Sequence, residues 1–391
     1  MFANPMRGNL PPVRRPVPLG WRTRGEPLDA AFAGYAVRIY NSGTEALAMA
    51  IADARLRSGA TAPEVILPAY GCPDLVAASL FAGVRPRLVD TASGQWGYDL
   101  DSLAKTVSTN TVAIVAVNLL GVGDQALELR AIATANGLAL IQDSAQYLPQ
   151  SLPITWLGDY VVFSFGRGKP LNLLHGGALL HSPERGAAAT WEQTHPLASQ
   201  KESALLRWFA GLAFNVVTHP SIYGISRRLA GSLVGGTSYK PLNAAYAPSA
   251  WMIRFVETGL ASYRVNAGYD ATVWADACAA WSSRGVELLL CASRGAGGVP
   301  RLRLALLAHN RRIREAIVTV LERRGLGASR MYGASLDGIA GVPTDVASQG
   351  PFPNARSLAE RLFTLPTHSL VSPASVQMTQ ETVAGVLAQV D

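Results

Sequence analysis

One rhythm constrains this chain more than any other feature. Short apolar runs alternate with amphipathic stretches through its first half: AVRIY then TEALAMAIADARLRSG, EVILP then PDLVAASLFAG, RPRLVD, TVAIVAVN then QALELRAIATANG, LALIQD, DYVVFSF and GGALLH. Brief apolar runs bounded by turn residues read as buried strands, and apolar positions three and four apart read as helices packed on them. That order predicts an α/β fold, a mainly parallel sheet with helices on both faces. Gly59 and Gly137 stand where two of the helices should end in a left-handed cap.

The chain divides by pattern. A Pro-rich stretch over 1–27 reads as an extended leader, and 28–250 as one large α/β domain. Within that domain the rhythm breaks over 184–242, an insertion holding LLRWFAGLAFNVVTHP and the basic SRRLAG. Residues 251–391 read as a smaller C-terminal α+β domain: a long helical stretch, the strand-like RLRLALLA, the helix NRRIREAIVTVLERRG and a last helix over 379–390. With 391 residues, 49% hydrophobic and 16% charged, such a core can be filled, which excludes a disordered chain or a small binding module.

Charge and cysteine usage narrow the function classes. The net charge is +7, yet only four of the 34 basic residues are lysine and no basic stripe is interleaved with aromatics, so nucleic acid is not expected. Cys72, Cys278 and Cys291 lack metal-ligand spacing and the six histidines are unpaired, so neither a metal site nor a disulfide framework is expected. The opening MFANPMRGNLPPVRRP has no apolar signal-peptide core, and Leu205 to Val217 falls short of the roughly 20 residues that cross a bilayer. A cytoplasmic location is expected. A mean hydropathy of +0.17 and the Trp208-Phe209 stretch with Arg207, Arg227 and Arg228 leave open peripheral contact with a membrane surface.

Parallel sheets bind ligands beyond the carboxyl ends of their strands, and three such places carry chemistry. After AVRIY, Asn41-Ser42-Gly43-Thr44 opens a helix, which suits a phosphate and equally an ordinary N-cap. After LALIQ stand Asp143 and Gln146, where a buried carboxylate needs a cationic or donor partner or else caps a helix. After DYVVFSF stands Gly166-Arg167-Gly168-Lys169-Pro170, which places Lys169 between apolar strands while the other lysines lie in polar contexts. A partly buried lysine loses its charge readily and attacks aldehydes. Schiff-base lysine, ring-nitrogen carboxylate and phosphate anchor are what pyridoxal 5'-phosphate requires.

In this order the segments resemble the DegT/DnrJ/StrS aminotransferases, a family of fold-type I pyridoxal-phosphate enzymes. YNSGTEAL is similar to the family's phosphate segment, LIQDSAQ to its Asp-x-x-Gln motif and FSFGRGKPLNLLHGGALL to its lysine and Gly-Gly stretch. EVILPAYGCPDLVAASLFAGVRPRLVD and NARSLAERLFTLPTHSLVS are also similar to family segments. The resemblance implies Lys169 as Schiff-base lysine and proton shuttle, Asp143 paired to the ring nitrogen and Gln146 near the ring hydroxyl. It implies Gly43, Thr44 and Ser164 around the phosphate, an amino-acid donor such as glutamate, a keto-sugar acceptor and a homodimer with active sites at the subunit interface.

Three positions depart from the family pattern. Cys72 stands where an aromatic stacks on the ring, with Tyr70 as a substitute; His175 replaces an acid before the Gly-Gly; and Ala245-Tyr246-Ala247 replaces the Asn-Tyr-Arg that reaches across the dimer. These leave open an altered acceptor pocket, another fold-type I reaction such as a lyase, decarboxylase or acyl transferase, or a non-catalytic regulatory relative.

Overall fold

The structure, a computed structural model, describes residues 9–19, 25, 27–152, 154–182, 197–199, 202–230, 237–265, 271–289 and 301–390. Each apolar run of the first half is a strand: β1 (Ala36–Tyr40), β2 (Glu64–Pro68), β3 (Arg85–Val89), β4 (Thr111–Val117), β5 (Ala139–Asp143), β6 (Tyr160–Ser164) and β7 (Gly177–His181). They form one seven-stranded sheet in the order β1-β7-β6-β5-β4-β2-β3. The β2–β3, β2–β4, β4–β5 and β5–β6 pairs are parallel, and β7 runs antiparallel to both β6 and β1. This is the expected mainly parallel α/β sheet.

Helix α1 (Leu28–Ala31) precedes β1, and α2 (Gly43–Ser58), α3 (Asp74–Phe81), α4 (Leu100–Thr106) and α5 (Ala126–Ala135) fill the crossovers. Helix α2 buries Ala46 through Ala54 against the sheet, and its alanines allow that close approach. It ends at Gly59, and Gly137 follows α5; both adopt the left-handed conformation.

The insertion folds into a helical hairpin, α6 (Ala204–Val217) and α7 (Pro220–Ala230), followed by α8 (Ala250–Val265). The rest of 184–242 lies partly outside the described residues, as do Cys291 and much of the leader. The leader residues that are described form no helix; Leu10 makes an isolated bridge to Leu326, and Asn172 Nδ2 donates to Arg15 O at 2.7 Å.

A second sheet, β10-β9-β8, joins β8 (Val286–Leu288), β9 (Arg303–Ala308) and β10 (Leu362–Pro366) in antiparallel pairs. It packs with α9 (Ala275–Ser282), α10 (Arg311–Arg323) and α13 (Pro373–Val390) around Trp274, Leu306, Ile317 and Val383; α11 (Thr344–Ala347) and α12 (Pro353–Arg361) complete the C-terminal part. The sequence division at 250/251 falls within α8, whose Met252, Val256, Leu260 and Tyr263 pack with Val161, Phe163 and Leu180 of the large sheet. Burial of that apolar stripe holds α8 against the large sheet.

Candidate active site

Because β1 and β6 are both antiparallel to β7, β1 points the same way as the parallel strands. Asn41–Thr44, Asn118, Asp143 and Ser164 therefore emerge on one sheet edge. Gly43, Thr44, Cys72, Asp143, Gln146, Ser164 and Lys169 line a single cavity there, together with Asp74, Asn118 and Tyr332.

Two close approaches build an anion cradle. Ser42 is the extended N-cap of α2, and its hydroxyl accepts the Glu45 N–H at 3.1 Å. Gly43 and Thr44 form the first turn, whose N–H groups lack helical acceptors and carry the positive end of the helix dipole. A Cβ on Gly43 would lie 2.6 Å from Ser164 Cβ, so only glycine lets the Ser164 hydroxyl sit beside the helix start. The Gly-Gly pair secures the same loop: Gly176 N–H donates to Asn41 O at 2.7 Å. A Cβ on Gly177 would lie 2.5 Å from Ser42 C and O. Gly177→Ala must displace this backbone, so we expect a loss of about 1–3 kcal/mol in stability, read as a lower melting temperature, and weaker retention of a phosphate-bearing ligand.

Asp143 ends β5. Its Oδ1 accepts the Ala145 N–H at 3.0 Å, a turn contact, and no helix starts there for it to cap. Burial raises the Asp143 carboxyl above the usual range, while the Ala145 N–H and the Lys169 charge oppose that rise. A cation placed against it restores the ionised form. Gln146 Oε1 accepts the Leu120 N–H at 3.2 Å, and its Nε2 donates to the Tyr332 hydroxyl at 3.0 Å. Lys169 follows Gly168 (φ +71°), and its N–H returns to Gly166 O at 3.3 Å, a tight turn that carries the side chain into the cavity.

The departures from the family pattern resolve in detail. Burial, with Asp74 nearby, pushes the Cys72 thiol up to about 12 despite the Lys169 charge, so Cys72 lines the wall as a neutral side chain. Tyr70, expected to supply an aromatic face, is 1% exposed and does not line the cavity. Its ring meets the Tyr332 ring edge-on at 5.7 Å, and Tyr332 is the aromatic at the wall. The chain between β2 and α3 turns Tyr70 inward, so the cavity aromatic comes instead from a loop where Met331 has φ +57°. His175 lies outside the wall, 5.6 Å from the Trp251 ring, and burial with the Arg207 charge pushes it down to about 4 although Glu202 opposes this. The Tyr246 N–H donates to Glu45 Oε2 at 3.1 Å within the same chain.

Sequence reasoning missed Tyr332, Asp74 and Asn118. Asp74 Oδ2 accepts the Thr44 hydroxyl at 3.1 Å, and Asn118 Nδ2 donates to Ser144 Oγ at 2.8 Å. A polar residue directly after a predicted strand was the available signal for Asn118; Tyr332 has no local signal at all. Among the described residues no group of His, Cys, Asp and Glu could hold a metal ion, and no helix is long and apolar enough to cross a membrane.

Residues 29–204 match the model of the DegT/DnrJ/EryC1/StrS aminotransferase family, which bears out the resemblance read from the sequence. Protein MosB of Rhizobium meliloti is 29% identical over 150 residues, 38% of this chain and 29% of that protein. The UDP-N-acetyl-3-dehydro-alpha-D-glucosamine 3-aminotransferase of Acidithiobacillus ferrooxidans is 27% identical over 164 residues, 40% of this chain and 44% of that protein. The matched part thus spans less than half the length of either curated relative. A putative sugar aminotransferase of Streptococcus pneumoniae, solved in its PLP form, superposes with a TM-score of 0.63 at 18% identity, covering 93% of this chain and 90% of that one. The fold is that of the fold-type I aminotransferases.

Proposed function

We propose, from the premise that this chain is a relative of the DegT/DnrJ/EryC1/StrS aminotransferases, that it is a pyridoxal-phosphate-dependent aminotransferase. It takes an amino group from an amino acid such as glutamate and delivers it to a keto group of a sugar or sugar nucleotide. One observation carries this reading: Lys169, Asp143, Gln146, Ser164 and the Gly43-Thr44 helix start line one cavity although they come from three separate segments. The acceptor class rests on the names of relatives that act on sugars.

The residues present fit the cofactor. A glycine cradle that any Cβ would fill, at a helix N-terminus with a serine hydroxyl beside it, suits a phosphate dianion. A carboxylate whose ionised form needs a cation suits a protonated ring nitrogen. Gly43, Thr44 and Ser164 would hold the phosphate, Asp143 the ring nitrogen and Lys169 the aldehyde carbon. When bound, pyridoxal phosphate supplies an electron-withdrawing ring for the electron pair left when the donor's Cα–H bond breaks.

The chain's own groups do the rest. Lys169 Nζ would hold the aldehyde carbon at rest and, once free, would accept and return the proton at the reacting carbon. Asp143, fixed by the Ala145 N–H, would hold its charge against the ring nitrogen. Gln146 and Tyr332 lock to one another across the wall and keep that side of the cavity in place. The reading includes a homodimer and a cytoplasmic enzyme.

The test is the absorbance of protein loaded with pyridoxal phosphate between about 320 and 430 nm, before and after glutamate. A visible band that glutamate bleaches, restored by a keto-sugar acceptor, is expected. Retention of the cofactor with no response to any amino acid would remove the aminotransferase reading.

A further inference from the structure

Helix α6 is inside out. Its outward side, roughly half the circumference, carries Leu205, Leu206, Phe209, Leu212, Val216 and Val217, all exposed, with Leu206 at 71% and Phe209 at 53%. Its polar residues face the protein. Asn215 Oδ1 accepts the Val17 N–H at 2.7 Å and its Nδ2 donates to Val17 O at 2.9 Å, while Thr218 O accepts from Arg14 Nε at 3.2 Å. Gly211 is buried, and a Cβ on it would meet Val17 Cγ1 at 3.0 Å, so the seam is already closely packed. The described part of the leader therefore clamps the hairpin in one orientation, and its apolar side faces outward by construction. In α7, Ile225 is 61% exposed and continues the apolar surface.

The charge of the segment that carries this surface has one sign. From Ser203 to Val256 the sequence holds Arg207, Arg227, Arg228, Lys240 and Arg254 and not one Asp or Glu. Arg207 is neutralised by Glu202, just upstream, and the others have no acid within the segment. A second copy docking the same surface about a two-fold axis would set like charges against each other, which costs free energy. An anionic lipid surface has the opposite sign and an apolar layer beneath it, and amphipathic helices with Phe, Leu and Trp beside arginine lie at that boundary.

The geometry points to the α6–α7 hairpin as a peripheral membrane anchor that lays Leu206 and Phe209 into the interface of an anionic bilayer. The placement is independent of the cavity chemistry, since none of these residues lines the cavity.

Flotation with phosphatidylcholine vesicles carrying about one third phosphatidylglycerol, against phosphatidylcholine alone, tests it on the full chain loaded with pyridoxal phosphate. Wild type is expected to float with the anionic vesicles and to release as salt is raised. Leu206→Glu/Phe209→Glu is expected to lower vesicle affinity by at least about 100-fold, the loss of two buried apolar side chains. Arg227→Gln/Arg228→Gln is expected to lower it by about 30-fold. Both should keep the wild-type visible band and melting temperature, and if the first fails to fold the second decides. No flotation of wild type, or equal flotation of the folded variants, overturns the proposal. A change from dimer to monomer in Leu206→Glu/Phe209→Glu, read by light scattering, also overturns it and assigns the surface to a second copy.

Discussion

Lys169→Ala is expected to lower the rate of glutamate-dependent amino transfer by at least about 10⁴-fold, because in the proposed reaction one side chain would serve as both nucleophile and proton carrier. Its Nζ has no substitute nearby among the described residues, where no other lysine lines the cavity. Lys169→Arg sharpens the test, since a guanidinium keeps the positive charge beside Asp143 and cannot form the Schiff base. Both variants should fold, because the turn that presents the residue is made by backbone, Lys169 N–H to Gly166 O and Leu173 N–H to Phe165 O at 2.8 Å. Stopped-flow absorbance with glutamate measures the step, and borohydride reduction followed by peptide mapping shows whether the cofactor was fixed at Lys169. Activity within tenfold of wild type would remove Lys169 from this role.

Asp143→Asn is expected to slow the same half-reaction by about 10²–10³-fold, the scale on which a preorganised charge at a reacting system acts. Asparagine keeps an oxygen for the Ala145 N–H, so the turn after β5 survives and only the charge is lost. The effect on stability has the opposite sign. Burial raises the folded-state carboxyl above its unfolded value. Such a group contributes stability that is present below the unfolded value and lost as pH rises through the folded one. Without cofactor, the asparagine variant should therefore melt at or above the wild-type temperature at neutral pH, with the difference vanishing in acid. Melting curves from pH 3 to neutrality check this, and a variant that is both active and less stable would refute the assignment.

Most of the cavity was legible because its parts are local. Asp143 follows a strand, Gly43 and Thr44 start a helix after a strand, and Lys169 sits in a glycine turn between two strands. Each is a strand-end position, and the parallel rhythm of the sheet sends strand ends to one edge. What stayed illegible is contact between residues far apart in sequence. Tyr332 reaches Gln146 across 186 positions, and Gly177 owes its missing side chain to Ser42 and Gly43 at the start of α2, which it meets only because β7 pairs with β1. Tyr70 stood as the substitute for the aromatic missing at Cys72; the turn after β2 buried Tyr70 and left Cys72 at the wall.

The sequence by itself determined the α/β rhythm, the seven strands of the large sheet and the triplet of lysine, carboxylate and glycine-opened helix start, because these follow from periodicity, turn residues and side-chain chemistry. Only the tertiary structure decided which aromatic faces the cavity, why glycine is required at position 177 beside Ser42, and that α6 turns its polar face inward. Those three are set by which backbones approach and which faces are buried, and burial is a property of the packed chain as a whole.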